Sequence, residues 1–167
     1  ALLVAAEGEG EPVLLIASGS YQLHAMRRAA VRLSQHAVAW RLIYLQEPGR
    51  FRAPRDAWEV PALATPAEHE ALFPAAYRRR VLLSHMRPEV ARGHLSTVLG
   101  EGAFCRALGY RNRGGTFDEA GMLFANGCTW AHVLQSVAEV LGTAVDAWLT
   151  AEERAALAGT GDPNILR

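Results

Sequence analysis

A strand–helix–strand unit near the start of the chain constrains the fold more than any other feature of the sequence. Residues 13–17 are all apolar, which is typical of a strand buried on both faces. Ser18-Gly19-Ser20 then supplies a tight turn and a helix cap. Apolar residues recur at helical spacing as far as Leu33, and residues 38–45 form a second apolar run. Because two parallel strands need a crossover between them, this unit predicts a parallel β-sheet with a helix on its face.

The remainder of the chain continues this alternation. Residues 47–66 contain four prolines and predict an irregular connection. Further strands are predicted at 81–84 and 103–108, and helices are predicted to begin at Pro66 and Pro88. A loop over 109–121 then precedes a long helix, which begins near Trp130 and ends at Gly142, and Thr150 begins a last short helix.

This order predicts an α/β fold, a three-layer sandwich around a mostly parallel sheet of four or five strands. The prediction includes the case in which one strand at the edge of the sheet runs antiparallel to its neighbour. We assign residues 1–11 to the remnant of a linker, 12–149 to the α/β domain, and 150–167 to a short helix and tail.

The composition excludes several classes of function. The 17 basic residues balance the 17 acidic ones, which argues against binding to nucleic acid or to a membrane surface. Every basic residue is an arginine, so no lysine can form a Schiff base. Cys105 and Cys128 are too far apart for a CxxC motif, and we expect reduced thiols in a cytoplasmic protein. The sequence does not begin with Met, and we expect it to be part of a longer protein.

The loop over residues 109–121 is the most informative candidate site. Arg111 and Arg113 are followed by Gly114-Gly115-Thr116, so two guanidinium groups are expected beside free backbone N–H groups. This chemistry suits a phosphate or a carboxylate, and the loop follows a parallel strand, where ligands bind in open α/β sheets. The alternative is a structural turn whose arginines cap carbonyls or pair with Asp118 across a subunit contact.

Histidine and arginine clusters give weaker signals. His85 follows a buried strand, so we expect it at the carboxyl edge of the sheet, and His132 lies on the long helix. No HxH or HExxH spacing is present, so no metal site is predicted. Arg78-Arg79-Arg80 is expected to be a solvated run of charge. Four further histidines are expected to be solvated: His24, His36, His69 and His94.

Three stretches resemble one family of enzymes. The first is the strand and small-residue turn of residues 13–20, and the second is residues 42–56, an apolar strand followed by a basic, proline-containing turn. The third is residues 108–132, in which Gly109-Tyr110-Arg111 precedes a long helix that carries His132. Together they resemble the C-terminal domain of the transketolase and phosphoketolase family, which depends on thiamine diphosphate.

The resemblance implies a C-terminal assembly and substrate-channel domain, inactive in isolation, of an enzyme that transfers a two-carbon ketol or acyl unit, as transketolases, phosphoketolases and the first components of 2-oxoacid dehydrogenases do. In this family, other domains bind thiamine diphosphate and a divalent metal through a Gly-Asp-Gly motif, and a Glu contacts the cofactor ring. Gly161-Asp162-Pro163 does not match that motif. We therefore expect no cofactor binding and no catalytic residue in this chain, and a homodimer that works with thiamine-binding domains or subunits. Arg111, Arg113 and His85 are the expected rim residues.

Two alternatives remain open from the sequence. One is a free-standing regulatory module that binds an anion at residues 109–116. The other is a small α/β hydrolase or transferase that uses His85.

Overall fold

The fold is built on a five-stranded, mostly parallel β-sheet. The computed structural model describes residues 1–100, 104–113 and 115–167. The strands are β1 (Leu2–Glu7), β2 (Val13–Ser18), β3 (Trp40–Tyr44), β4 (Arg79–Ser84) and β5 (Phe104–Leu108). They lie in the order β1-β3-β2-β4-β5, with β1 antiparallel to β3 and the other pairs parallel. The predicted α/β class and mostly parallel sheet are confirmed, and the one antiparallel strand lies at an edge.

Seven helices connect and cover the strands that the structure describes. They are α1 (Ser20–Gln35), α2 (Pro66–Leu72), α3 (Pro88–His94), α4 (Ser96–Leu99), α5 (Glu119–Ala125), α6 (Trp130–Leu141) and α7 (Ala151–Leu157). Single 3₁₀ turns lie at Pro48–Phe51, Val60–Ala62, Val145–Trp148 and Pro163–Leu166. Over the described ranges, every helix is too short or too polar to cross a lipid bilayer.

The central strand β2 divides the core into two layers. Its side chains alternate between the faces of the sheet, as they must in any strand. Leu15 and its neighbours on one face pack against α1 and α6. Leu14 and Ile16 on the other face pack with residues of α3, α4 and the irregular connection. Because both faces are covered, every residue of β2 is buried, which explains its continuous apolar sequence.

The helix ends follow the local signals in the sequence. Thr65 and Thr150 each form a complete capping box at the N-termini of α2 and α7. Gly142 ends α6 with a left-handed φ of 68°, a conformation that glycine adopts without steric cost. The irregular connection is confirmed between β3 and α2, where only two 3₁₀ turns form.

The N-terminal segment differs from the prediction. Residues 1–11 were assigned to a linker remnant, but residues 2–7 form β1, which pairs with β3 along its whole length. Five of the six β1 residues are exposed, among them Leu2 and Leu3. Residues 2–6 are an apolar run that is itself a strand signal, and Gly8 and Gly10 directly after it favour the linker assignment that the structure overturns.

The structure also corrects the expected exposure of one arginine and the length of one loop. The predicted solvated run at 78–80 is wrong for Arg80, which lies within β4 and is 3% exposed. Its guanidinium donates to the carbonyls of Tyr77, Val98 and Pro74 at 2.9, 2.6 and 2.8 Å, so its charge is buried among acceptors.

The predicted loop 109–121 is shorter, because Asp118 caps α5 through the amide of Gly121. Ala103, predicted to begin the fourth strand, lies outside the described residues.

The C-terminal helix α7 is held to α1 by an ion pair. Arg32 donates to both carboxylate oxygens of Glu153, at 2.8 and 3.0 Å, and to the carbonyl of Trp148 at 2.8 Å. The guanidinium also lies 5.1 Å from the centroid of the Trp130 ring on α6. These contacts attach residues 148–153 to helices α1 and α6, which cover one face of the sheet.

Candidate anion-binding cleft

The carboxyl edge of the sheet has a topological switch point between β2 and β4. The connection after β2 runs to β3 on one side, whereas β4 lies on the other side and leads to β5. His85 directly follows β4 at this point, and its Nδ1 lies 3.3 Å from the carbonyl oxygen of Ser18. The side chain is exposed and borders a cavity of about 160 Å³ that Tyr21, Gln22 and Tyr110 also line. The expected position of His85 at the carboxyl edge is confirmed.

A hydrolytic site around His85 lacks a suitably paired nucleophile in this geometry. The nearest hydroxyl in sequence, Ser84, is fully buried and accepts a hydrogen bond from the backbone amide of Met86 at 3.0 Å. Nucleophilic catalysis by serine needs a hydrogen bond to a general base. Among the described residues, His85 is bonded to a backbone carbonyl and no hydroxyl pairs with it.

The loop after β5 is fixed by one buried side chain, Asn126. Its Oδ1 accepts from the backbone amides of Arg111 and Arg113, at 2.8 and 3.3 Å. Its Nδ2 donates to the carbonyls of Arg113 and Met122, at 3.3 and 2.9 Å. Asn126 is 3% exposed, and Asn112 between the two arginines has a left-handed φ of 56°. The loop is therefore held in one shape by a polar side chain from the end of α5.

This clamp limits which backbone N–H groups of the loop are free. Those of Arg111 and Arg113 are both bonded to Asn126. Gly114, which was expected to contribute a further N–H group, lies outside the described residues. Arg111 and Arg113 are exposed, so the loop can present both guanidinium groups to a ligand.

Arg111 and Arg113 line a cleft of about 400 Å³ together with two more arginines, and we call it the arginine cleft. Arg92 comes from α3, Arg106 from β5, and Arg111 and Arg113 from the loop. Because α3 and α6 cover opposite faces of the sheet, and both contribute to the lining, the cleft lies across the edge at β5. Arg111 and Arg113 therefore border the same cleft.

The charge of this cleft is only partly compensated. Arg106 pairs with Glu139 of α6 at 2.5 Å. Within the described ranges, no carboxylate forms an ion pair with Arg92, Arg111 or Arg113. Asp118, the alternative partner proposed for the loop arginines, pairs with Arg167 at 2.8 Å. Three uncompensated guanidinium groups around one cleft suit an anion with several oxygen atoms.

His132 lies at the wall of the same cleft. Its Nδ1 is 2.8 Å from the hydroxyl of Thr129, and its ring meets Phe124 edge-on with centroids 5.8 Å apart. Burial lowers the pKa of His132 to about 4, so the ring is neutral at physiological pH. Burial also raises the pKa of the neighbouring Cys128 thiol to about 11.

The structure separates the predicted site residues into two groups. Arg111 and Arg113 line the arginine cleft, whereas His85 lines the cavity at the switch point. Asn126 borders both cavities.

The remaining histidines include one correction. His69 was expected to be solvated, but it packs against Phe73 with ring centroids 5.3 Å apart, and burial lowers its pKa.

Sequence reasoning missed Asn126, Arg92 and Arg106 as parts of the site. Arg106 could have been found, because it alternates with buried Ala107 on a predicted strand next to the loop. Asn126 and Arg92 reach the cleft only through tertiary packing, and no local pattern marks them.

Comparison with known proteins adds no relative to this description. Neither the scan against protein-family models nor the search of curated proteins gives a match.

Proposed function

We propose that this chain is the C-terminal assembly and substrate-channel domain, or subunit, of a thiamine-diphosphate-dependent enzyme that transfers a two-carbon ketol or acyl unit. In this proposal the fold is that of the transketolase C-terminal domain, and the complete enzyme is cytoplasmic and dimeric. The domain does not carry out the chemistry. It recognises an anionic group of the substrate, a phosphate or a carboxylate, at the rim of the channel.

The observation that carries the proposal is the arginine cleft. Arg92, Arg111 and Arg113, which form no ion pair with a carboxylate of the described residues, line one space large enough for a small oxyanion. The clamp by Asn126 fixes the loop before a ligand arrives, so little conformational entropy is lost on binding. The resemblance of residues 108–132 to the phosphoketolase segment covers the same loop and helix.

The lining of the cleft does not suit thiamine diphosphate bound through a divalent cation. A divalent metal prefers carboxylate and carbonyl oxygens, and the guanidinium groups would repel it. In the complete enzyme, partner domains or subunits therefore bind the cofactor and its metal, and this chain takes no part in the chemical steps.

Calorimetric titration with inorganic phosphate at low ionic strength tests the anion site. We expect saturable binding that is lost in the Arg111→Ala, Arg113→Ala double variant and weakens as salt is added, since salt screens charge. Arg27→Ala is the matched control, because Arg27 is an exposed arginine on α1, away from the cleft. Binding that is absent in the wild type, or equal in the double variant, contradicts the anion site.

A second titration tests the assignment of the cofactor. Thiamine diphosphate with Mg²⁺ should show no specific binding to this chain alone. Adding thiamine-binding domains of this enzyme class from the same source should yield a complex with two-carbon transfer activity. Cofactor binding by the isolated chain, or activity of the partner domains that this chain does not change, contradicts the assembly role.

A further inference from the structure

We infer that His132 is a specificity-determining donor of the arginine cleft, whose neutral Nε2–H group binds an unprotonated oxygen of the anion. This inference rests on the anion site of the proposed function and deepens it. The arginines supply charge from exposed positions, whereas His132 supplies one fixed, uncharged hydrogen bond from the wall.

The hydrogen bond to Thr129 fixes which ring nitrogen carries the proton. Thr129 is the N-cap residue of α6, yet its side chain makes no capping bond and lies 2.8 Å from Nδ1 of His132, the third residue of that helix. If Nδ1 carried the proton, the buried Thr129 hydroxyl would accept and its own proton would have no acceptor among the described residues. Donation from the hydroxyl to Nδ1 satisfies both groups, and it places the ring proton on Nε2.

The second nitrogen is available to a ligand. No described residue hydrogen-bonds to Nε2, and His132 is one of the residues that line the arginine cleft. Gly127, which also lines the cleft, has no side chain to cover this edge of the ring: a Cβ there would lie 3.9 Å from Nε2. The edge-on contact with Phe124 limits rotation of the ring.

The charge state of the ring favours this role over that of a fourth cation. Burial holds the pKa of His132 well below neutrality, so the ring that borders the cleft is uncharged. An N–H group can donate and cannot accept, so it favours the oxygen of an ionised phosphate or carboxylate over a protonated oxygen.

Phosphate titrations of paired variants test the inference. His132→Ala should weaken phosphate binding about tenfold or more, the loss expected for one hydrogen bond to a charged group. His132→Gln, whose amide N–H lies near the position of Nε2, should recover most of the affinity. Thr129→Val removes the hydroxyl that fixes the ring and should also weaken binding, whereas Thr129→Ser should bind as the wild type does.

Nitrogen-15 NMR of the histidine rings distinguishes ligand binding from a purely structural role, because only ligand binding makes the ring signals change when phosphate is added. The wild type should show His132 as the neutral tautomer protonated on Nε2, and its Nε2–H signal should shift when phosphate is added. Unchanged phosphate affinity in His132→Ala, with Arg111 and Arg113 still required, overturns this inference alone. A ring protonated on Nδ1 also overturns it, and absence of phosphate binding in the wild type overturns both proposals.

Discussion

The ion pair between Arg32 and Glu153 is expected to contribute strongly to stability, and Glu153→Gln tests this. The carboxylate accepts two hydrogen bonds from Arg32 and one from the backbone amide of Thr150, at 2.8 Å. Glutamine keeps the shape of the side chain but loses the charge, and it turns an N–H group toward a guanidinium that can only donate.

The magnitude follows from the burial of the pair. The side chains of Arg32 and Glu153 are 25% and 11% exposed, so the pair lies between a surface ion pair and a fully buried one. Exposed pairs contribute below about 1 kcal/mol, and breaking a buried pair costs about 3–5 kcal/mol. We expect Glu153→Gln to lower the free energy of unfolding by about 2 kcal/mol at neutral pH.

The effect should depend on pH with a defined sign. The hydrogen bonds from Arg32 lower the pKa of Glu153 in the folded state. The stabilisation is therefore complete above the carboxyl pKa of the unfolded chain, near 4.3, and is lost as the pH falls through the lower pKa of the folded state. The difference between wild type and variant should shrink over that acidic range.

Urea unfolding followed by tryptophan fluorescence measures the effect, at pH 7 and at steps down to pH 3. Glu152→Gln is the matched control, because Glu152 is exposed on the same turn of α7 and makes no ion pair with a described residue. A loss below about 0.5 kcal/mol at pH 7, the range of ordinary surface substitutions, would refute the reasoning. So would a loss that persists unchanged at pH 3.

Three further outcomes follow from the structure. Asn126→Ala should lower the free energy of unfolding by about 2 kcal/mol and speed amide hydrogen exchange in residues 111–113, because the backbone amides of Arg111 and Arg113 lose their acceptor. Unchanged exchange would contradict the clamp. Gly109→Ala should lower the free energy of unfolding in urea by about 3 kcal/mol, since the added Cβ would lie 2.0 Å from the carbonyl oxygen of Met86. A variant as stable as the wild type would contradict that packing. Cys128 should not react with Ellman's reagent at pH 8 until the chain unfolds, because its thiol is buried with a pKa raised to about 11; rapid modification of the native protein, located by mass spectrometry, would contradict this.

The sequence predicts those parts of the fold whose signals are local. The buried run at β2, the capping box at Thr65 and the glycine that ends α6 each follow from neighbouring residues. The edge strand β1 is a short apolar run beside two glycines, and only its backbone pairing with β3 distinguishes it from a linker, because most of its side chains are exposed.

The site could be predicted only in part for a related reason. The loop arginines were found because glycine and arginine stand together in the sequence. His85 and these arginines border different cavities, and only the packing of the folded chain determines this. Asn126 makes contacts 13 and 15 residues away in the chain, which no periodicity encodes. The family resemblance stays a prediction.

The buried guanidinium of Arg80 has a consequence for how the sequence can change over evolution. It bonds to four carbonyls, those of Phe73, Pro74, Tyr77 and Val98, and so joins the segment before β4 to the end of α4. A lysine has three donors on one nitrogen and cannot span these acceptors as a planar guanidinium does. In a chain whose basic residues are all arginine, exposed positions outside the arginine cleft can change to lysine with little effect, whereas position 80 cannot. Homologues from genomes with a different codon usage should therefore vary at the exposed arginines and keep this one.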